Sequence, residues 1–290
     1  MKGKLCVITG ATSGIGQATA KALAALGADL ILIGRNDARG NSLAARLAGL
    51  PGAGKIEFLR TDLAAADDVR RAAAAIGQWR RPVEVLVNNA GVRLDHYQRS
   101  SDGHELTFAT NHLGHFLLTG LILEKILEAD EGRIITVASG SHGGAQVDGI
   151  WELHADNYDR SQAYAKSKLA NIVFAHELAR RLTGTRAVSW AIDPGGVASN
   201  FARNNGLLSW SKHIVWYALR RDLISPRTAA RAIASLASAP NGSISNGSYF
   251  YRTTPARSSP ASYDLETART LWNLSLALTG LEKMPGPFAG

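Results

Sequence analysis

Thr9-Gly10-Ala11-Thr12-Ser13-Gly14-Ile15-Gly16 lies between the apolar run Leu5-Cys6-Val7-Ile8 and a stretch with apolar residues at Ile15, Ala18, Ala22, Leu23 and Leu26. The run reads as a buried strand and the spacing after it as an amphipathic helix. A turn between them must stop the strand abruptly and open the helix at once. Gly10 and Gly14 allow tight turning and close backbone approach, and Gly16 lets the helix pack on the strand. The helix start then presents unpaired N–H groups and the positive end of its dipole, which suits a pyrophosphate. Thr12, Ser13 and Ile15 complete that cradle. The spacing, G-x-x-x-G-x-G, differs from the dinucleotide fingerprint G-x-G-x-x-G, and its place between strand and helix gives it weight.

The alternation continues outward. Strands are expected at 4–9, 29–34, 56–61, 83–88, 133–139, 186–193 and near 247–251. Helices are expected at 14–27, 37–49, 66–78, 103–129 and 161–183. Strands joined by helices of this length imply an α/β fold, with a doubly wound parallel sheet of Rossmann type. With no repeat or linker in sight, residues 1–290 read as a single domain. Two excursions, 140–160 and 196–225, fall after strand ends, where such sheets place their ligands. Trp210, Trp216, Tyr217, Leu207, Leu208 and Ile214 leave three readings for the second: a lid over an apolar substrate, a peripheral membrane contact, or core. Trp151 in the first is equally open.

Bulk properties bound the rest. A chain of 290 residues, 46% hydrophobic, can bury a large core without disulfides. Its one cysteine, Cys6, falls in the first strand and reads as a small buried hydrophobe. With the first strand opening at Leu5 no leader is expected, and the run Phe116–Leu123 is short for a membrane span. A reducing, cytoplasmic setting is the expectation. The formal charge of +8 is spread over pairs such as Arg70-Arg71, Arg80-Arg81, Arg180-Arg181 and Arg220-Arg221. Such pairs usually decorate solvated helix faces. With no nucleic-acid-binding motif beside them, no nucleic-acid partner is expected. His96, His142 and His154 lack ligand spacing, so no metal is expected.

Polar residues gather at the strand ends. Arg35 and Asn36 follow the second strand, where an adenosine ribose would sit. An arginine suits a 2′-phosphate, which favours NADP over NAD, although Asp37 could reach a ribose hydroxyl. Asp62-Leu63 at the third strand either holds the adenine edge or caps the next helix. Asn88-Asn89-Ala90-Gly91 lets backbone approach a flat ligand while its amides tie strands together. Ser139 ends the fifth strand, with Ser141 its competitor for a bond to a substrate oxygen. Asn111 sits on the long helix, where it reads as a water anchor or a surface amide. Tyr164 and Lys168 lie one helical turn apart. A free phenol titrates near 10; bringing it to neutrality takes about 3 pH units, or roughly 4 kcal/mol, which the lysine ammonium and an oxidised nicotinamide can together supply.

In this order and spacing, these pieces resemble the short-chain dehydrogenase/reductase family over about residues 4–253. The resemblance implies that Tyr164 is the general acid/base and that Lys168 holds the nicotinamide ribose and acidifies the phenol. It implies that Ser139 orients the carbonyl and that Asn111 anchors a water in a proton relay. Pro194, Gly195 and Val197 would border the nicotinamide, with Ser199 where the family often has threonine. Asn111-His112-Leu113-Gly114-His115-Phe116, Ser167-Lys168-Leu169-Ala170-Asn171 and Leu271-Trp272-Asn273-Leu274-Ser275 are similar to the retinol-dehydrogenase-like branch. The expected activity is NADP-dependent hydride transfer to or from a carbonyl or alcohol carbon of a small lipophilic substrate. A non-catalytic NADP-binding sensor or scaffold, or a reductase of C=C or C=N bonds, stand as alternatives. The resemblance also implies helices 103–129 and 161–183 as the interface of a homodimer.

Overall fold

Leu5–Thr9 forms β1, buried at every residue, as a continuous apolar run must be when both sheet faces are covered. The computed structural model describes residues 1–147, 151–197 and 223–284. After β1 come α1 (Gly14–Ala25), β2 (Asp29–Gly34), α2 (Asp37–Ala48), β3 (Ile56–Arg60), α3 (Ala66–Gly77) and β4 (Val85–Asn88). Next are a short helix α4 (Leu106–Phe108), α5 (Gly114–Leu127), β5 (Arg133–Val137), α6 (Arg160–Arg181) and β6 (Val188–Asp193). Helix α7 (Pro226–Ala237), strands β7 (Tyr249–Tyr251) and β8 (Thr254–Ala256), and helix α8 (Leu265–Thr279) close the described chain.

One sheet in the order β3-β2-β1-β4-β5-β6-β7-β8 runs through a single α/β domain. Seven strands are parallel, and β8 returns antiparallel on β7. Val7 of β1 pairs with Ile31 on one side and Leu86 on the other. The strand order therefore reverses direction at β1 and β4, which opens a crevice at their carboxyl ends. One face buries Leu23 of α1, Leu43 of α2 and Ile233 of α7; the other buries Val69 of α3, Leu118 of α5 and Leu178 of α6.

Several expectations change. The helix expected at 103–129 is broken: Ala109–Leu113 forms a π turn between α4 and α5. Its wider ring sets Asn111 at 0% exposure, so it is neither mid-α-helix nor a surface amide. The fifth strand stops at Val137, leaving Ser139 as the cap of a 3₁₀ turn, Gly140–Gly144. Helices α7 and α8 and strand β8 were not expected, although Ser225 with Pro226, and Asp264 accepting from the Thr267 N–H at 2.7 Å, mark both helix starts. Trp151 is core, packed with Phe108, Leu113 and Leu169. Residues 148–150 of the first excursion, and 198–222 with Ser199, Trp210, Trp216 and Tyr217, lie outside the described residues.

Part of α5 and α6 packs against the chain's own last helix. Trp272 of α8 stacks on Phe174 (6.1 Å) and meets Phe116 edge-on (5.2 Å). The arginine pairs also have internal work. Arg70 donates to the Thr279 carbonyl at 2.9 Å, Arg81 pairs with Asp29 at 2.6 Å, and Arg181 stacks on Trp272. Burial pushes the Cys6 thiol up to about 12, which leaves it inert.

Candidate active site

The carboxyl ends of the strands enclose a cleft of about 890 Å³. Its floor is the glycine turn. A Cβ on Gly16 would stand 2.3 Å from the Gly10 carbonyl oxygen and 2.5 Å from the Asn89 amide nitrogen, so no other residue fits there. Gly10 itself needs its positive φ of 65°. Gly10, Thr12, Ser13, Gly14 and Ile15 line the cleft, while Gly16 packs beneath it. Ser13 caps α1 without spending a side-chain bond, and the first turn carries no acidic residue. The leading N–H groups of α1 thus point at the cleft with no negative charge against them, and the residues fit a pyrophosphate.

Thr9 fixes the neighbouring strand end. Its hydroxyl accepts from the N–H groups of Asn89 (2.8 Å) and Ala90 (3.0 Å), while the Asn89 side chain donates to the Thr9 carbonyl at 2.8 Å. The expected strand-tying by the Asn amides takes this form, and it holds Asn89, Ala90 and Gly91 along the cleft wall. Asn88 turns the other way and donates to Thr119.

At the adenosine end, Arg35, Asn36 and a residue not singled out in the sequence, Arg39, line the wall. The Asn36 side chain is committed to capping α2, accepting from Arg39 N–H at 2.9 Å. Asp37 pairs with Arg60 at 3.5 Å and is not part of the lining. Asp62 and Leu63 do line it. Asp62 does not cap α3; it accepts from Ala64 N–H at 3.1 Å, and Asp102 supplies the cap by accepting from Ala66 N–H at 2.7 Å.

At the other end, Ser139, Ser141, Tyr164, Pro194, Gly195 and Val197 meet around one volume. The Ser139 hydroxyl accepts from Ser141 N–H at 3.3 Å, and the two hydroxyls are 3.4 Å apart. The Tyr164 ring sits between two cations, the Lys168 ammonium 5.7 Å and the Arg93 guanidinium 5.8 Å from its centroid. Lys168 lies beneath the cleft, and its Nζ donates to the Val137 carbonyl at 3.1 Å. Burial pulls its ammonium down to about 8, while the charge of Asp193 draws it back up. Asn111 is not in the lining. Its Oδ1 accepts from Val92 N–H at 2.7 Å, and its Nδ2 donates to the Val92 carbonyl and the Ser167 hydroxyl, both at 2.9 Å. It fastens the wall after β4 to the helix that carries Tyr164.

Two buried groups went unread in the sequence. His115 bridges the Thr9 hydroxyl (2.8 Å) and the Asn111 carbonyl (2.9 Å). Asp193 closes β6 inside the cleft. A histidine or aspartate beside an apolar run was the available signal, but nothing in one sequence tells a satisfied core group from a working one.

The family model described as short chain dehydrogenase matches residues 4–207. Human retinol dehydrogenase 14 is 35% identical over 299 residues, covering 98% of this chain and 88% of that protein. Human retinol dehydrogenase 11 is 34% identical over 282 residues, covering 97% and 87%. Among solved structures, an uncharacterized protein from Mycobacterium paratuberculosis superposes with a TM-score of 0.77 at 31% identity, covering 98% of this chain and 96% of that one.

Proposed function

The chain belongs to the short-chain dehydrogenase family, in its retinol-dehydrogenase-like branch, as a nicotinamide-dependent oxidoreductase; from that premise we propose that it uses NADP to reduce the carbonyl of a small, mostly apolar aldehyde or ketone. The observation that carries the reading is the meeting of Tyr164, its two flanking cations and Ser139 at one end of a cleft whose other end is a phosphate cradle.

The bound nicotinamide supplies the hydride. The chain's own work is to place the substrate and move the proton. The Ser139 hydroxyl accepts from Ser141 N–H and donates to the Ser141 hydroxyl at 3.4 Å, a long bond that a substrate oxygen would replace. That favours Ser139 over the exposed Ser141 as the orienting hydroxyl. Tyr164 gives its proton to the same oxygen, and the adjacent positive charge of Lys168 stabilises the phenolate left behind. Val92 and Val197, both buried, supply apolar wall, which supports a lipophilic substrate. A cytoplasmic location belongs to the proposal as well. The one helical stretch among the described residues long and apolar enough to cross a membrane, Leu106–Leu127, is 89% buried within the fold.

NADP is preferred because two guanidinium groups, Arg35 and Arg39, border the adenosine end, while the acidic candidate there, Asp37, is tied to Arg60. Arg35→Asp should raise the Kd for NADPH about tenfold or more and leave NADH binding within a factor of three. Tryptophan-quenching titrations of both nucleotides give the ratio, and an unchanged ratio removes Arg35 from the phosphate site. The reading as a whole is tested by screening purified protein against aldehydes, ketones and secondary alcohols at 340 nm with NADPH or NADP. Turnover of aliphatic or aromatic carbonyls is expected; oxidation of NADPH only by activated alkenes or imines would replace the assignment.

A further inference from the structure

The chain after β4 runs along the cleft wall and is fastened to the helix that carries Tyr164. Asn111 holds both the N–H and the carbonyl of Val92, at 2.7 and 2.9 Å. The Tyr158 hydroxyl donates to the Leu94 carbonyl at 3.0 Å, and Arg160, the first residue of α6, pairs with Asp95 at 3.0 Å. Val92 and Leu94 are both buried. Arg93 between them is half-buried and lines the cleft. Its guanidinium carbon stands 5.8 Å from the centroid of the Tyr164 ring. The proton step described above uses the charge of Lys168 alone. We propose that Arg93 is a second cation for the phenol, acting through Tyr164 and not on the substrate, and that it makes Tyr164 the more acidic proton donor. The role assigned to Tyr164 is the reading on which this rests.

A cation near the face of an aromatic ring is attracted by the ring's quadrupole. Loss of the phenol proton adds a full negative charge, shared between the oxygen and the ring carbons. The attraction then grows, so the cation lowers the pH at which the proton leaves. The two cations are not redundant. Burial pulls the Lys168 ammonium down to about 8, so its charge fades as the pH approaches the range where phenols titrate. An arginine side chain keeps its charge throughout that range. The other groups at this end of the cleft do not supply the same field. On α6, Lys166 is two residues from Tyr164 and so points elsewhere, and Asp159 caps the helix start. From β6, Asp193 brings a carboxylate to the lining, which opposes a phenolate. From the 3₁₀ turn, His142 donates through Nδ1 to the Ser139 carbonyl (2.7 Å) and accepts through Nε2 from Ser259 N–H (3.1 Å), an arrangement that needs a ring with one proton. From β7, Tyr251 adds a phenol. On the wall of Arg93 itself, Asp95 and Arg160 offset each other.

The test is Arg93→Gln in the full-length protein without nucleotide. Tyrosine ζ-carbons are labelled with carbon-13, and Tyr164 is identified by the signal missing from Tyr164→Phe. Its titration midpoint should rise by about half to one pH unit, the usual worth of a partly exposed cation at a ring face. In Arg93→Lys, which restores the charge, the midpoint should lie nearer the native value than the glutamine one. An unmoved or lowered midpoint in folded Arg93→Gln overturns the proposal. So does a lysine variant displaced as far as the glutamine one, because charge is then not the agent. Should Arg93→Gln not fold, Arg93→Met keeps an apolar stem against the wall and removes the same charge. It carries the same expected rise, and an unmoved midpoint there is equally fatal. The catalytic reading fails separately, if Tyr164→Phe turns over normally while the shift caused by Arg93 stands.

Discussion

Tyr164→Phe should lower turnover about a hundred- to ten-thousandfold and leave the affinity for NADPH within a factor of two. The loss is the usual worth of a positioned proton donor. The substitution removes one oxygen and nothing else. The Phe ring keeps its place between Arg93 and Lys168, because those contacts are to the ring face, at 5.8 and 5.7 Å from its centroid. The adjacent Ser167 hydroxyl donates to the Tyr164 backbone carbonyl at 2.8 Å, a bond indifferent to the side chain. The cradle at Gly10–Gly16 and the arginine-bordered adenosine end lie elsewhere in the cleft. Fold, thermal midpoint and nucleotide binding should therefore be those of the native chain. Fluorescence titration measures the binding and single-turnover kinetics the chemical step. Turnover within threefold of native would remove Tyr164 from the proton step.

Local chemistry made much of this site legible. The glycine turn, Asn89-Ala90-Gly91, and Tyr164 with Lys168 were each readable because short spacing fixes their geometry: a turn, a strand end, one helix face. Asn111 was placed on the right segment but in the wrong environment. A π turn depends on how α4 and α5 must both pack, and no periodicity in Ala109–Leu113 announces it. Asp62 was left open between the adenine edge and the cap of the next helix, and the helix cap came from Asp102, 36 residues away along the chain from the N–H it binds. The branch-typical stretches gave no mechanism when read singly. In the fold they meet: His112 bonds to Ser275 at 2.8 Å, Phe116 packs on Trp272, and Asn111 donates to Ser167. They are three sides of one packing unit that seats α8 against α6. Its pieces lie more than 50 residues apart, so only tertiary contact reveals it.

That packing unit predicts an acid-labile fold. His112 and His115 are 1% exposed, and burial lowers both to about 3. A charge on His115 further disfavours protonation of His112, and Lys168 meets His115 as a like charge, while Asn171 and the Asn111 carbonyl only partly compensate. An unfolded chain titrates its histidines near 6.5. Above that pH neither state holds the extra protons, and these residues do not affect the balance. Between pH 6.5 and 3 the unfolded chain binds one more proton at each site, so stability falls as pH falls. The slope is about 1.4 kcal/mol per pH unit for each histidine. Two of them remove roughly 5 kcal/mol between pH 6.5 and 4.5, which is comparable with the whole stability of many domains. His176, also lowered by burial, adds in the same sense. Glu105 and Asp193, whose carboxyls burial raises, take up protons first in the folded state and offset part of the loss. Urea midpoints measured from pH 7.5 to 4.5 should hold level above 6.5 and then drop steeply. In His115→Gln the drop should be shallower by nearly half, whatever that variant's stability at pH 7.5, because one titrating site is gone. A midpoint that stays flat down to pH 4.5 would mean that the two rings are hydrated or protonated in the native fold.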